Sequence, residues 1–103
     1  TPKFTINLAN REIIIRGQHV HITPTESKIL WYLVRNEGRI VTQEALQRSV
    51  WGSTDYIDPS TIKKYIYQLR TKLDDTSETP HILVNERGVG YKFVRPKKSR
   101  LAR

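Results

Sequence analysis

Along the first 22 residues the apolar positions recur every second residue. Phe4, Ile6 and Leu8 form one such run, Ile13 and Ile15 a second, and Val20 and Ile22 a third, with breaks at Asn10-Arg11 and Gly17-Gln18. Period two with β-branched side chains predicts three short strands in an antiparallel meander, one face covered. At Thr23 the period changes. Thr23 suits a helix cap, Pro24 the first helical position, and Glu26, three residues after the cap, completes a capping-box signature. Ile29, Leu30, Leu33 and Val34 then form an apolar stripe, and Gly38 is expected to end the helix.

The run Arg39 to Val41 reads as extended and leads to a second cap at Thr42. The helix that follows carries Ala45, Leu46, Val50 and Trp51 and stops at Gly52. Residues 52–59, GSTDYIDP, are turn-like. Asp58 caps and Pro59 starts a third helix, predicted over residues 60–73 and about 21 Å long. The polar connection DDTSETP contains Pro80, which argues against further helix. Two β-rich runs, 81–85 and 91–94, flank ERGVG and predict a hairpin with glycine where positive φ is needed. The final RPKKSRLAR is basic and without pattern, and is expected to be mobile.

The third helix has an unusual outer face. At 100° per residue, Ile62, Ile66, Leu69 and Leu73 fall within about 60° of arc, with Tyr65 at the edge, and form the buried stripe. Ser60, Lys64, Tyr67, Gln68 and Thr71 lie opposite, Lys63 and Arg70 on one shoulder, Lys72 on the other. No carboxylate follows Asp58 on this helix. A merely solvated face usually mixes signs, because acid–base pairs four residues apart add a few tenths of a kcal/mol. Here like charges accumulate, which phosphates would neutralise. Gln, Arg and Lys also match base edges in the major groove.

Composition extends this reading to the whole chain. Its 103 residues suit one domain, and 18 Lys plus Arg against 10 Asp plus Glu give a formal charge of +8, which favours a polyanionic partner. There is no Cys, so disulfides, thiolate metal sites and a Cys nucleophile are excluded. No apolar run approaches the roughly 18 residues of a membrane span, and no signal peptide is evident, so a cytoplasmic protein that does not engage a membrane is expected. The chain contains no Met, which suggests a piece of a longer protein.

Catalytic chemistry finds little support. His19 and His21 share a strand face without an evident third metal ligand, and no metal or other cofactor is expected. Gly88 and Gly90 lack the rest of a dinucleotide fingerprint. Asp74 and Asp75 are expected in a solvated polar loop, with no catalytic role. Trp31 and Tyr32 read as core and rim rather than a binding platform, while Trp51 can close the core and still donate its N–H to a phosphate. Tyr91 and Phe93 look buried, which counts against a stacking RNA-binding sheet.

The second and third helices, joined by a short turn, have the arrangement of a helix-turn-helix with a lengthened turn, and Arg87 at the hairpin tip is shaped for an adjacent minor groove. In order and spacing, TPTESKILWYLV, VTQEALQRSVWG, TIKKYIYQLRTKL and ERGVGYKFV resemble the winged-helix effector domain of OmpR/PhoB-type two-component response regulators. The resemblance runs from Lys3 to Val94, and is most specific at Leu69 to Leu73 and Arg87 to Tyr91.

The resemblance implies an α+β winged helix-turn-helix: an N-terminal antiparallel sheet of four strands, of which the pattern supplies three, then three helices and a C-terminal hairpin wing. The domain would occupy residues 1–96 and the basic tail 97–103. By the same resemblance, Ser60, Thr61, Lys64, Tyr67, Gln68 and Arg70 on the third helix face DNA, as does Arg87 on the wing; Lys63 and Thr71, on the outward side of the same helix, are expected to join them. Gln43, Trp51 and Tyr91 make phosphate contacts, and residues 52–59 touch RNA polymerase. An absent N-terminal receiver domain, phosphorylated by a sensor histidine kinase, and head-to-tail pairs on direct repeats of promoter DNA are also implied. Lys63, Tyr65, Tyr67 and Gln68 depart from common family choices, so operator sequence does not transfer from a relative. Tyr65 is similar to the aromatic of the potassium-transport regulators. The rival reading is a basic module that binds nucleic acid without sequence preference.

Overall fold

The computed structural model describes residues 3–52, 57–97 and 99–102. Strands β1 (Phe4–Asn7), β2 (Glu12–Ile15) and β3 (Gln18–His21) form the expected antiparallel meander, with Phe4 opposite Ile15 and Ile13 opposite Val20. Arg16 and Gly17 both take positive φ (53° and 75°), the backbone that a two-residue hairpin needs to match strand twist. Phe4, Ile6, Ile13 and Ile15 bury one face of the sheet.

A fourth strand completes this sheet, but it comes from the other end of the chain. The tail expected to be mobile contains β7 (Arg100–Ala102), which pairs in parallel with β1, Thr5 opposite Arg100. Ser99, buried, fixes its entry: the Phe4 amide donates to Ser99 Oγ at 3.0 Å. The free edge of β1 thereby finds partners for its backbone. Such a three-residue pairing is set by an available edge and leaves no period in the sequence.

Helix α1 (Pro24–Arg35) has both halves of the capping box: the Glu26 amide donates to Thr23 Oγ1 at 3.2 Å and the Thr23 amide to Glu26 Oε1 at 2.8 Å. The helix ends before Gly38. Asn36 caps it, its side-chain amide donating to the Tyr32 carbonyl, and Gly38, at φ 80°, turns the chain and donates its N–H to Phe93. Strand β4 (Ile40–Thr42) follows, then α2 (Gln43–Trp51), capped by Thr42 and closed at Gly52. Helix α3 runs Pro59–Lys72, one residue earlier than expected, and Leu73 lies just beyond it with its side chain still in the core. Strands β5 (Leu83–Glu86) and β6 (Gly90–Phe93) form the hairpin, and β6 also pairs with β4, giving a second sheet ordered β4-β6-β5. Ile29, Leu30 and Leu33 of α1, Leu46 of α2, Ile62, Ile66 and Leu69 of α3 and Leu83, Tyr91 and Phe93 of the hairpin share one core.

One correction and one unanticipated contact concern charged residues. Asp75 does not lie in a solvated loop: it is 3% exposed and accepts the amides of His81, Ile82 and Leu83. Lys72, on a shoulder of α3, reaches Glu26 at 2.6 Å and ties α3 to α1.

Candidate nucleic-acid interface

Three elements converge on one surface. The helix α3 starts where Asp58 accepts the Ser60 amide at 2.9 Å and Pro59 pre-sets φ, so its first turn is defined without tertiary help. Hydrogen bonds from Ser60 hold the Asp58 carboxyl below its ordinary value of 3.8. Ile62, Ile66 and Leu69 rotate the opposite face outward. On that face Ser60, Lys63, Lys64, Tyr67 and Thr71 are exposed, Tyr67 by 70%, and Thr61 and Gln68 are half-buried. Thr71 turns its hydroxyl inward to donate to the Tyr67 carbonyl at 3.0 Å. Neither Lys63 nor Lys64 has an ion pair among the described residues.

The hairpin brings Arg87 to the exposed turn between β5 and β6, with Gly88 at φ 77°. Gly90 is required for a second reason. A Cβ there would collide with the Val41 carbonyl and the Thr42 backbone, so only glycine lets β6 lie against β4. The Gln43 amide donates to the Val89 carbonyl at 3.3 Å, which sets the start of α2 against the hairpin turn. Lys92 pairs with Glu86 across the strands at 3.6 Å. At the other end of α2, Trp51 lies half-buried with its ring 5.9 Å from that of Tyr65, tilted by 43°. Ser53 to Tyr56, within the stretch expected to meet polymerase, lie outside the described residues.

Ser60, Thr61, Lys63, Lys64, Tyr67, Gln68 and Thr71 thus share the outer side of α3, and Gln43 and Arg87 belong to the elements beside it. Two other expected residues sit differently. Tyr91 is 2% exposed; its ring belongs to the core, and burial raises its phenol above the ordinary value of 10.0 while nearby Arg70 opposes the rise. Arg70 is half-buried, and its Nε and Nη2 donate to the Leu83 carbonyl at 2.9 and 2.7 Å. The wing packs over the shoulder of α3 on which Arg70 lies, so a position that looks lateral on a helical wheel is a contact between elements.

One residue of this surface was not anticipated. Asn85, exposed on β5, lines a groove of about 410 Å³ with Tyr67, Arg70 and Thr71. Its place on β5, two residues before Arg87 in the hairpin turn, was the available signal. Elsewhere, His19 pairs with Glu12 at 3.2 Å, and no group of three His, Cys, Asp or Glu among the described residues could hold a metal. No helix among the described residues is long and apolar enough to cross a membrane.

Residues 17–93 match the family described as transcriptional regulatory protein, C terminal. The chain is similar to the transcriptional regulatory protein KdpE of Mycobacterium tuberculosis, 40% identical over 93 residues that make up 90% of this chain and 41% of that protein. It is also similar to the KDP operon transcriptional regulatory protein KdpE of Escherichia coli, 34% identical over 90 residues, 87% of this chain and 40% of that protein. The chain therefore spans about two-fifths of the length of the curated relatives it matches. Among solved structures, the Klebsiella pneumoniae RstA DNA-binding domain in complex with the RstA box superposes with a TM-score of 0.75 at 28% identity, covering 86% of this chain and 88% of that one. The DNA-binding domain of CpxR from E. coli gives 0.68 at 31% identity, covering 87% and 88%. With residues 17–93 matched and the winged helix in place, the chain belongs to the OmpR/PhoB-type family of transcriptional regulatory protein C-terminal domains, the DNA-binding domains of response regulators rather than enzymes.

Proposed function

We propose that this domain binds promoter DNA in a sequence-specific manner, with α3 in the major groove and Arg87 in the adjacent minor groove. The exposed face of α3, basic at Lys63 and Lys64 and free of carboxylates after Asp58, is the observation that carries the reading. Lys63, Lys64, Ser60 and Thr61 meet phosphates near the start of the helix, and Tyr67 and Gln68 present groups to base edges; Gln suits adenine. Thr71, Gln43 and Trp51 flank this contact, while Arg70 and Tyr91 act from behind it. Phosphorylation of a preceding receiver domain by a sensor histidine kinase in the cytoplasm controls the domain. Pairs assemble head to tail on direct repeats, and residues 52–59 engage RNA polymerase.

Selection of the domain against a pool of random duplexes at near-physiological salt tests this. Two similar half-sites in direct orientation, about one helical turn apart, are expected. Binding without enrichment would make the +8 charge a generic attraction for phosphate and assign the chain to the rival architectural class. Replacing side chains in 52–59 leaves DNA affinity intact and abolishes activation; loss of both would overturn that division of labour.

A further inference from the structure

The junction between α3 and the wing is a closed circuit of hydrogen bonds through two charged side chains. Arg70 places Nε and Nη2 on the carbonyl oxygen of Leu83, the first residue of β5, at 2.9 and 2.7 Å. The amide of Leu83 donates to Asp75 Oδ2 at 3.0 Å. That oxygen also accepts the Ile82 amide at 3.0 Å, and Oδ1 accepts the His81 amide at 2.9 Å. The circuit closes through the backbone, where the Asp75 amide donates to the Arg70 carbonyl at 2.8 Å. Both polar backbone atoms of Leu83 are therefore held by charged groups anchored at the end of α3. Hydrogen bonds to charged groups are stronger than neutral ones, and the burial of Asp75 keeps water from competing.

Leu83 is the root of the lever that carries Arg87. The four residue steps from Leu83 to Arg87 span roughly 13 Å, so a rotation of roughly 10° at Leu83 moves the tip by about 2 Å, enough to lose a hydrogen bond. The far edge of the hairpin is held separately, by β4 and by the Gln43 to Val89 hydrogen bond. The Arg70–Asp75 circuit ties the start of β5 to the end of α3 by hydrogen bonds.

We propose that Arg70 and Asp75 are positioning residues for DNA recognition: they fix the angle between α3 and the wing so that the helix face and Arg87 engage neighbouring grooves together. This rests on the DNA-binding reading above. It gives Arg70 a role through Leu83 rather than through a base or phosphate of its own.

A double-mutant cycle on the duplex selected by the wild-type domain tests the proposal. Arg70→Gln is expected to weaken binding roughly tenfold when Arg87 is present and less than about twofold in an Arg87→Ala background. Preference for the flanking minor-groove sequence disappears, while the bases preferred along α3 remain those of the wild type. Asp75→Asn shows the same selective loss. Equal losses in both backgrounds, together with a salt slope lower by about 0.9 for Arg70→Gln in the Arg87→Ala background, would make Arg70 a direct phosphate contact and overturn the proposal. So would an Asp75→Asn domain that keeps the minor-groove preference. If circular dichroism shows Arg70→Gln unfolded, Arg70→Lys, which retains the charge and one donor, carries the same cycle with an intermediate coupling. A wild-type domain without sequence preference, or an Arg87→Ala variant that binds as well as wild type, would show that the DNA-binding reading itself fails, and the proposal falls with it.

Discussion

Near the start of α3, Lys63 and Lys64 are exposed and have no ion pair among the described residues; two turns later, Arg70 and Lys72 are half-buried and fully committed, one to the Leu83 carbonyl and the other to Glu26. All four are basic, and the helix is the same. What differs is what lies over each shoulder: solvent in the first case, the wing and α1 in the second. Positive charge on α3 is therefore of two kinds, and counting basic residues along α3 overstates the surface available to a polyanion. The committed pair belongs to the fold, and the uncommitted pair stays exposed.

The largest expected effect tests the committed half. Lys72→Met leaves the Glu26 carboxylate, 2% exposed in its side chain, without its cationic partner. Unfolding in urea should show a loss of about 3 kcal/mol, because an uncompensated buried charge costs more than the pair contributes. The base preference of the surviving folded protein should not change. A change in preference at constant stability would place Lys72 on the DNA side of the comparison.

The recognition face gives the next effect. Gln68→Ala is expected to relax preference at one or two base pairs, costing about 1–3 kcal/mol at those positions and little elsewhere, as read by binding to single-base variants of the selected site. A uniform loss on every sequence would mean that Gln68 serves affinity and not reading.

Smaller again is Lys64→Ala. Affinity should fall by about 1 kcal/mol on all sequences and the salt slope by about one, while stability to urea stays the same or rises slightly as repulsion from Lys63 is relieved. Destabilisation instead would put Lys64 with Arg70 and Lys72.

The smallest effect concerns the cap that starts α3. Because hydrogen bonds from Ser60 lower the Asp58 pKa below 3.8, this group contributes stability that is present above that value and is lost as pH falls through its folded pKa. Asp58→Asn keeps the cap without the titration. The wild-type Ser60 amide resonance should move as pH falls below about 4 and that of the variant should not. An identical shift in both proteins would assign the effect to another group.

Most of the fold was legible because it rests on local chemistry. Thr23 with Glu26, Thr42, and Asp58 with Pro59 each announce a helix start, and the structure has caps at all three. The meander and the hairpin follow from period-two alternation broken by turn residues. The interface was partly legible. The 100° spacing of Ile62, Ile66 and Leu69 dictates which side of α3 faces outward, and the exposure of Tyr67, Lys64 and Ser60 follows from it. The shoulder position of Arg70 could not be assigned on that basis, since a helical wheel does not contain the wing. Asn85 was passed over for a similar reason: only the packing of β5 against α3 turns it toward the same groove.

By itself, the sequence determined the three helices with their caps, the buried stripes, the hairpin with Arg87 at its tip, and a net positive charge with no thiol chemistry. These depend on neighbours within a few residues or on composition alone. Only the tertiary structure decided that β7 closes the N-terminal sheet, that Asp75 is buried as an acceptor of three amides, and that Arg70 and Lys72 belong to the fold while Lys63 and Lys64 do not. Each of those outcomes joins groups far apart in the chain or depends on which element covers a shoulder. Hydrogen-bond demand and burial act on proximity in space, and the pattern of a single segment carries no record of what will be packed against it.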